Sequence, residues 1–127
     1  MKKAVILIFV FTICSCNLFN KKGIDFVIKN NSNVEIENIK LYTSENLTVK
    51  DLESLGPNDS MEGFLPMTNN KKDGSYILEF NRLNKDKETH KQGYYSNGSP
   101  LNKWIQFNIK TDTTITRLSK ASIYLDI

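Results

Sequence analysis

Residues 24 to 127 predict an all-β domain, an antiparallel β-sandwich of about seven or eight short strands. Apolar residues recur at every second position over short stretches, the period of a strand with one buried face. Clusters of Asn, Gly, Pro, Asp and Ser interrupt those stretches at intervals of roughly 8 to 12 residues, the spacing of sandwiches and barrels. No stretch sustains the period of an amphipathic helix.

Ile24, Phe26 and Ile28 alternate with Asp25 and Lys29 and predict the first strand. Asn30-Asn31-Ser32-Asn33 predicts a turn, because Asn tolerates a left-handed backbone and bonds its own chain. Val34 and Ile36 resume the alternation, and Ile39 and Leu41 continue it in the opposite phase. One extra residue near Glu37-Asn38 accounts for the switch, so a bulge or kink is expected there. Leu47, Val49, Leu52 and Leu55 fit neither period well. A strand followed by one helical turn is the expectation for that stretch, stopped by Gly56-Pro57-Asn58-Asp59.

Met61 to Leu65 predicts a further strand with Gly63 as its weak point. Asn69 to Gly74 is a polar loop ending in the hairpin-type dipeptide Asp73-Gly74. Tyr76, Leu78 and Phe80 mark the next strand. Leu83 to Pro100 is the longest polar connection, with a charged run from Lys85 to Lys91. Ile105, Phe107 and Ile109 give the strongest strand signal, with Trp104, Gln106 and Asn108 on its other face. Thr111 to Thr113 turns, and Ile115–Leu118 and Ser122–Ile127 form the last expected pair. The arrangement is immunoglobulin-like by analogy alone, since the Cys–Trp–Cys pattern of true immunoglobulin domains is absent.

The first sixteen residues have another character. Lys2 and Lys3 precede an unbroken apolar run from Ala4 to Phe11, followed by Thr12-Ile13-Cys14-Ser15-Cys16. A basic start, a short apolar stretch and a small residue before a cut site make a secretory signal. The run is too short to cross a bilayer comfortably, which takes roughly 20 residues. Ile13-Cys14-Ser15-Cys16 resembles the lipobox of bacterial lipoproteins. That resemblance implies cleavage before Cys16 and attachment of diacylglycerol to its thiol. Cys16 is favoured over Cys14 because Ser15 is small, whereas Ile13 is bulky. Residues 1–15 are then the signal peptide and 16–23 the lipidated cysteine with its tether. More than one acyl chain is needed for a stable anchor, at about 0.8 kcal/mol per buried CH₂. Lys21 and Lys22 follow close behind, placed to touch anionic head groups or to solvate the tether.

Removing residues 1–15 leaves 112 of the 127 residues and no second cysteine, so the fold rests on its core without a disulfide. The net charge of +3 falls to +1 when Lys2 and Lys3 leave. A near-neutral domain carries no electrostatic footprint for nucleic acid.

Few residues suggest chemistry. The one histidine, His90, lies in the charged run and reads as a solvated loop residue with no G-x-S-x-G partner. Neither a metal nor a cofactor is implied: Glu88 and His90 are two apart with no further His or Cys to join them, and no Gly-rich phosphate loop is present. Tyr94, Tyr95 and Asn97, with Trp104 nearby in sequence, form the candidate ligand-binding group. Rings beside amides supply contact area at low entropy cost, for a glycan or a partner protein. Asp59-Ser60-Met61 and Asp112-Thr113-Thr114 resemble the pattern that some Bacteroidetes-type bacteria O-glycosylate in exported proteins, which makes Ser60 and Thr113 candidate acceptors.

The expectation is a lipid-anchored lipoprotein of the bacterial cell envelope, acting as a non-catalytic binding or accessory module. Its partners would be the membrane, through the N-terminal lipid, and an envelope protein or glycan. The alternative is an immunity or inhibitor lipoprotein that blocks a toxin or hydrolase. Its carboxylates read as scattered along the sequence, which disfavours a purely electrostatic inhibitor.

Overall fold

The computed structural model describes residues 22–120. The described chain is all-β and forms two sheets. In chain order the strands are β1 (Gly23–Asn31), β2 (Ile36–Thr43), β3 (Val49–Leu52), β4 (Ser60–Pro66), β5 (Gly74–Arg82), β6 (Lys87–Ser96), β7 (Ser99–Pro100), β8 (Trp104–Lys110) and β9 (Thr114–Leu118). One sheet has the order β4-β1-β8-β9 and the other β3-β2-β5-β6-β7.

The period-two stretches become the buried faces. Ile24, Phe26 and Ile28 of β1, Tyr76, Leu78 and Phe80 of β5, and Ile105, Phe107 and Ile109 of β8 are all at most 2% exposed. They join Ile36, Ile39, Leu41, Leu65 and Met67 in one core fed by both sheets. Burying each such side chain contributes about 1.5–3 kcal/mol. The phase switch in β2 is a bulge: the pairing with β5 shifts between Glu37 and Lys40. Asn38 takes a left-handed φ of 53° there, a conformation that Asn accepts more readily than most residues.

Several expectations are corrected. The pairing of β1 with β8 is parallel, so the sheets are antiparallel in most but not all of their pairs. Asn30 and Asn31 belong to β1, and the turn after them is held by the Asn30 side chain. Asn30 Nδ2 donates to the carbonyls of Val34 (2.8 Å) and Leu55 (2.9 Å), while Asn30 Oδ1 accepts from the Ser32 amide. Leu47 to Leu55 has no helical turn. β3 pairs with β2, and Leu55 bridges Ile36. Asp73-Gly74 closes no hairpin, because β4 and β5 lie in different sheets and the segment crosses between them. Lys87 to Ser96 is a ten-residue strand where a connection was expected. The expected strand Ser122–Ile127 lies outside the described residues.

The parallel β1–β8 pair gives the domain two distinct ends. β1 and β8 start at one end, and β4 and β9 run antiparallel to them and finish there. Lys22, where the described chain begins, marks this end, termed the entry end.

Candidate functional site

The entry end is a cluster of loops tied together by hydrogen bonds. Lys22 Nζ donates to the Asn70 carbonyl at 3.0 Å, and the Met67 amide donates to the Lys22 carbonyl at 2.9 Å. The Gly98 amide donates to the Lys72 carbonyl at 2.7 Å. Ser119 Oγ accepts from the amides of Lys103 (2.7 Å) and Trp104 (3.2 Å). Backbone amides that no strand uses must find partners elsewhere, and here the loops supply them to one another.

Glu45 stands at the centre. Its Oε1 accepts from the backbone amides of Lys71 (3.1 Å) and Lys72 (3.0 Å). Its Oε2 accepts from the Tyr95 hydroxyl (2.8 Å) and from Asn70 Nδ2 (2.7 Å). Asn70 is itself buried, and its amide also reaches Thr43 Oγ1 at 2.8 Å. Burial pushes the Glu45 carboxyl up, but the four donors outweigh it and hold the group down at about 2. A carboxyl ordinarily titrates at about 4.3, so this one stabilises the fold above that pH. The contribution is lost as pH falls from about 4 through about 2.

Asp73 anchors the neighbouring loop. Its carboxylate accepts from the Asn97 amide (2.7 Å) and the Tyr94 hydroxyl (2.8 Å). These bonds draw the Asp73 carboxyl below its ordinary range, and the bond to Asp73 raises the Tyr94 hydroxyl. Beside this pair lies an open cleft of about 600 Å³ whose lining includes Glu45, Leu47, Asn69, Lys71, Lys72 and Asp73. Leu47 is 52% exposed, and the Lys71 and Lys72 side chains are exposed. The arrangement can present fixed carbonyls, two ammonium groups and apolar surface to a partner. Its acidic groups are already engaged as hydrogen-bond acceptors.

The four candidate binding residues take different places. Tyr94 is 49% exposed, whereas Tyr95 is fully buried, stacked at a tilt against Tyr76 with ring centroids 5.6 Å apart. Adjacent strand residues face opposite ways, and a bulge in β6 sets Tyr95 as the inward one. Tyr76 pairs with Gln92 and Gly74 with Tyr95, leaving an extra residue at Gly93-Tyr94, where Gly93 takes a φ of 74°. Tyr95 therefore cannot meet a ligand from solvent and serves as the inner support of Glu45. Asn97 is exposed with φ 50°. Trp104 is 41% exposed but belongs to the other sheet, on the face opposite Ile105. So the four side chains do not form one patch, although all lie toward the entry end.

Ser60 and Thr113 are exposed at the opposite end. Cys16 lies outside the described residues. His90 is a strand residue of β6, correcting the expected loop. Its ring stacks on Phe80 at 5.5 Å and its Nε2 lies 3.6 Å from Glu88 Oε1. Among the described residues no three His, Cys, Asp or Glu side chains gather as metal ligands would.

Sequence reasoning missed Glu45, Asn70 and Asp73. The available signal was modest: Asn69-Asn70-Lys71-Lys72-Asp73 is a polar loop containing an Asn that proves to be buried.

No family model matches the chain, and a search of the curated proteins finds no match. The fold is similar to that of a solved structure, an NMR structure of a protein from Eubacterium rectale, at 14% sequence identity and a TM-score of 0.54. The similarity covers 81% of this chain and 94% of that one, and it speaks to the fold alone.

Proposed function

We propose that the chain is a lipid-anchored protein of the bacterial cell envelope whose domain is a non-catalytic binding or accessory module, with the entry end as its binding face. We read the two sheets as the layers of a β-sandwich, immunoglobulin-like in arrangement. The observation that carries the reading is the state of the groups at the entry end. A general acid or base works best with a pKa near the operating pH. Here Glu45 is held at about 2, Asp73 is lowered and Tyr94 is raised, all away from neutrality. Four donors on one carboxylate make a fixed scaffold, which suits recognition by shape and charge.

The anchor is tested by intact mass and membrane partition of the protein made in a bacterial host, beside Cys16→Ala. The expected mass shows cleavage before Cys16 with acyl chains added, and membrane association is lost in the variant. A soluble product cut elsewhere refutes the anchor.

One observation favours the second reading, an inhibitor or immunity lipoprotein. The carboxylates scattered in sequence gather at the end opposite Lys22: Glu35, Glu53, Asp59, Asp86 and Asp112 lie in its loops, with Lys85 the cation among those loop residues. Such an end would face away from the membrane and complement a basic target.

A further inference from the structure

We infer that the entry end is a docking surface for an anionic lipid bilayer, so that the domain sits with this end against the membrane. The inference rests on the anchored reading above and names the partner of that same face. Charge carries it first. Lys22, Lys71, Lys72, Lys103 and Lys120 lie at the entry end, set against Glu45 and Asp73 in its loops and against the exposed Asp25, which pairs with Trp104. The loops of the opposite end carry five carboxylates against Lys85, with Lys29, Arg82, Lys87 and Lys110 at the strand ends beside them, so the loops of the two ends differ in sign although the net charge is near neutral. Anionic lipid surfaces attract juxtamembrane lysines at short range, within about 10 Å.

Composition carries it second. Leu47, Tyr94, Leu101 and Trp104 are exposed at the same end, from 36% to 52%. Trp and Tyr with flanking lysines form the set of side chains that prefers the headgroup region, with rings in the apolar boundary and ammonium groups on phosphates. Chain connectivity carries it third. Lys22 follows Cys16 by six residue steps, which limits the distance between them to roughly 20 Å. A lipid on Cys16 thus holds the entry end, and not the opposite one, close to the surface. The rigid Glu45 network presents the lysines of the 69–73 loop without further ordering.

Trp104 is the one tryptophan in the chain, so its fluorescence reports on this face alone. The test uses the purified full mature protein in vesicles of brominated phosphatidylcholine, with or without brominated phosphatidylglycerol. Trp104 fluorescence is expected to be quenched in the anionic vesicles and preserved in the neutral ones. Lys71→Ala, Lys72→Ala and Lys103→Ala combined weaken docking by about 100-fold, at about fivefold per lysine, and abolish the quenching while the protein still co-floats. Equal quenching in both vesicle types overturns the inference, as does an unquenched Trp104 in anionic vesicles. A Trp104 already shielded from acrylamide without vesicles also overturns it, since residues 121–127 or a second copy would then occupy the face. Failure to co-float with neutral vesicles refutes the lipid anchor separately. The quenching in anionic vesicles is read in that case too, and still decides the docking.

Discussion

Tyr95→Ala is expected to cost about 3–5 kcal/mol of stability, the range for deleting a buried aromatic side chain. Tyr95 is fully buried, packs on Tyr76 and carries the hydroxyl that reaches Glu45. Its loss opens a cavity between the sheets and removes one of the four donors to Glu45. A domain of this size has a total stability on the order of 5–15 kcal/mol. The midpoint of thermal unfolding should fall on the order of 15 °C or more. Tyr95→Phe keeps the ring and removes only the hydroxyl, so it should cost less and raise the Glu45 carboxyl toward its ordinary range. An Ala variant with wild-type midpoint would show that Tyr95 is not the inner support assigned to it. The consequence for function is direct: binding lost in Tyr95→Ala would report lost folding, not a lost contact.

Gly98→Ala should destabilise by at least about 2 kcal/mol. Two independent causes act at this position. Gly98 has a φ of 73°, in the left-handed region that an L side chain rarely adopts. A Cβ there would also collide with the Asn70 carbonyl, which is backbone and has little room to move. The Gly98 amide meanwhile holds the Lys72 carbonyl at 2.7 Å, so relief by shifting the turn would break the link between the two loops. The change should therefore appear in chemical denaturation and as faster amide exchange at Lys71 and Lys72. Unchanged exchange at those amides would contradict the close packing of these loops.

The sequence was most informative where apolar spacing decides the structure. Ile24-Phe26-Ile28, Tyr76-Leu78-Phe80 and Ile105-Phe107-Ile109 are buried as their period requires, and the phase switch at Glu37-Asn38 is the bulge it implied. β6 was hidden because Tyr95 is its one fully buried side chain, so no alternation marks it. Its strand geometry comes from pairing with β5 along most of its length, a tertiary cause that no local pattern carries. The parallel β1–β8 pair was hidden for a related reason, since register between strands about 80 residues apart leaves no local mark.

The candidate site was less legible than the fold. Glu45 meets the Lys71 amide across 26 positions and the Tyr95 hydroxyl across 50. Each of these residues alone reads as an ordinary loop or strand residue. Tyr94 and Tyr95 could be read as a pair pointing in different directions, but which one is buried depends on the bulge at Gly93-Tyr94. The charge polarity was invisible in a net charge that sums the two ends. It emerges when the parallel pair sends the lysine-bearing loops to one end and the carboxylate-bearing loops to the other.

Glu45 is a fixed acceptor binding the entry-end loops together, rather than an acid poised for proton transfer. The most direct measurement is the pH titration of the Glu45 side-chain carboxyl carbon by NMR, followed alongside the backbone amides of Lys71 and Lys72. A midpoint of about 2 is expected, with both amides shifting in the same transition. A midpoint at the ordinary value of about 4.3 or above, with the two amides indifferent to it, would contradict the account.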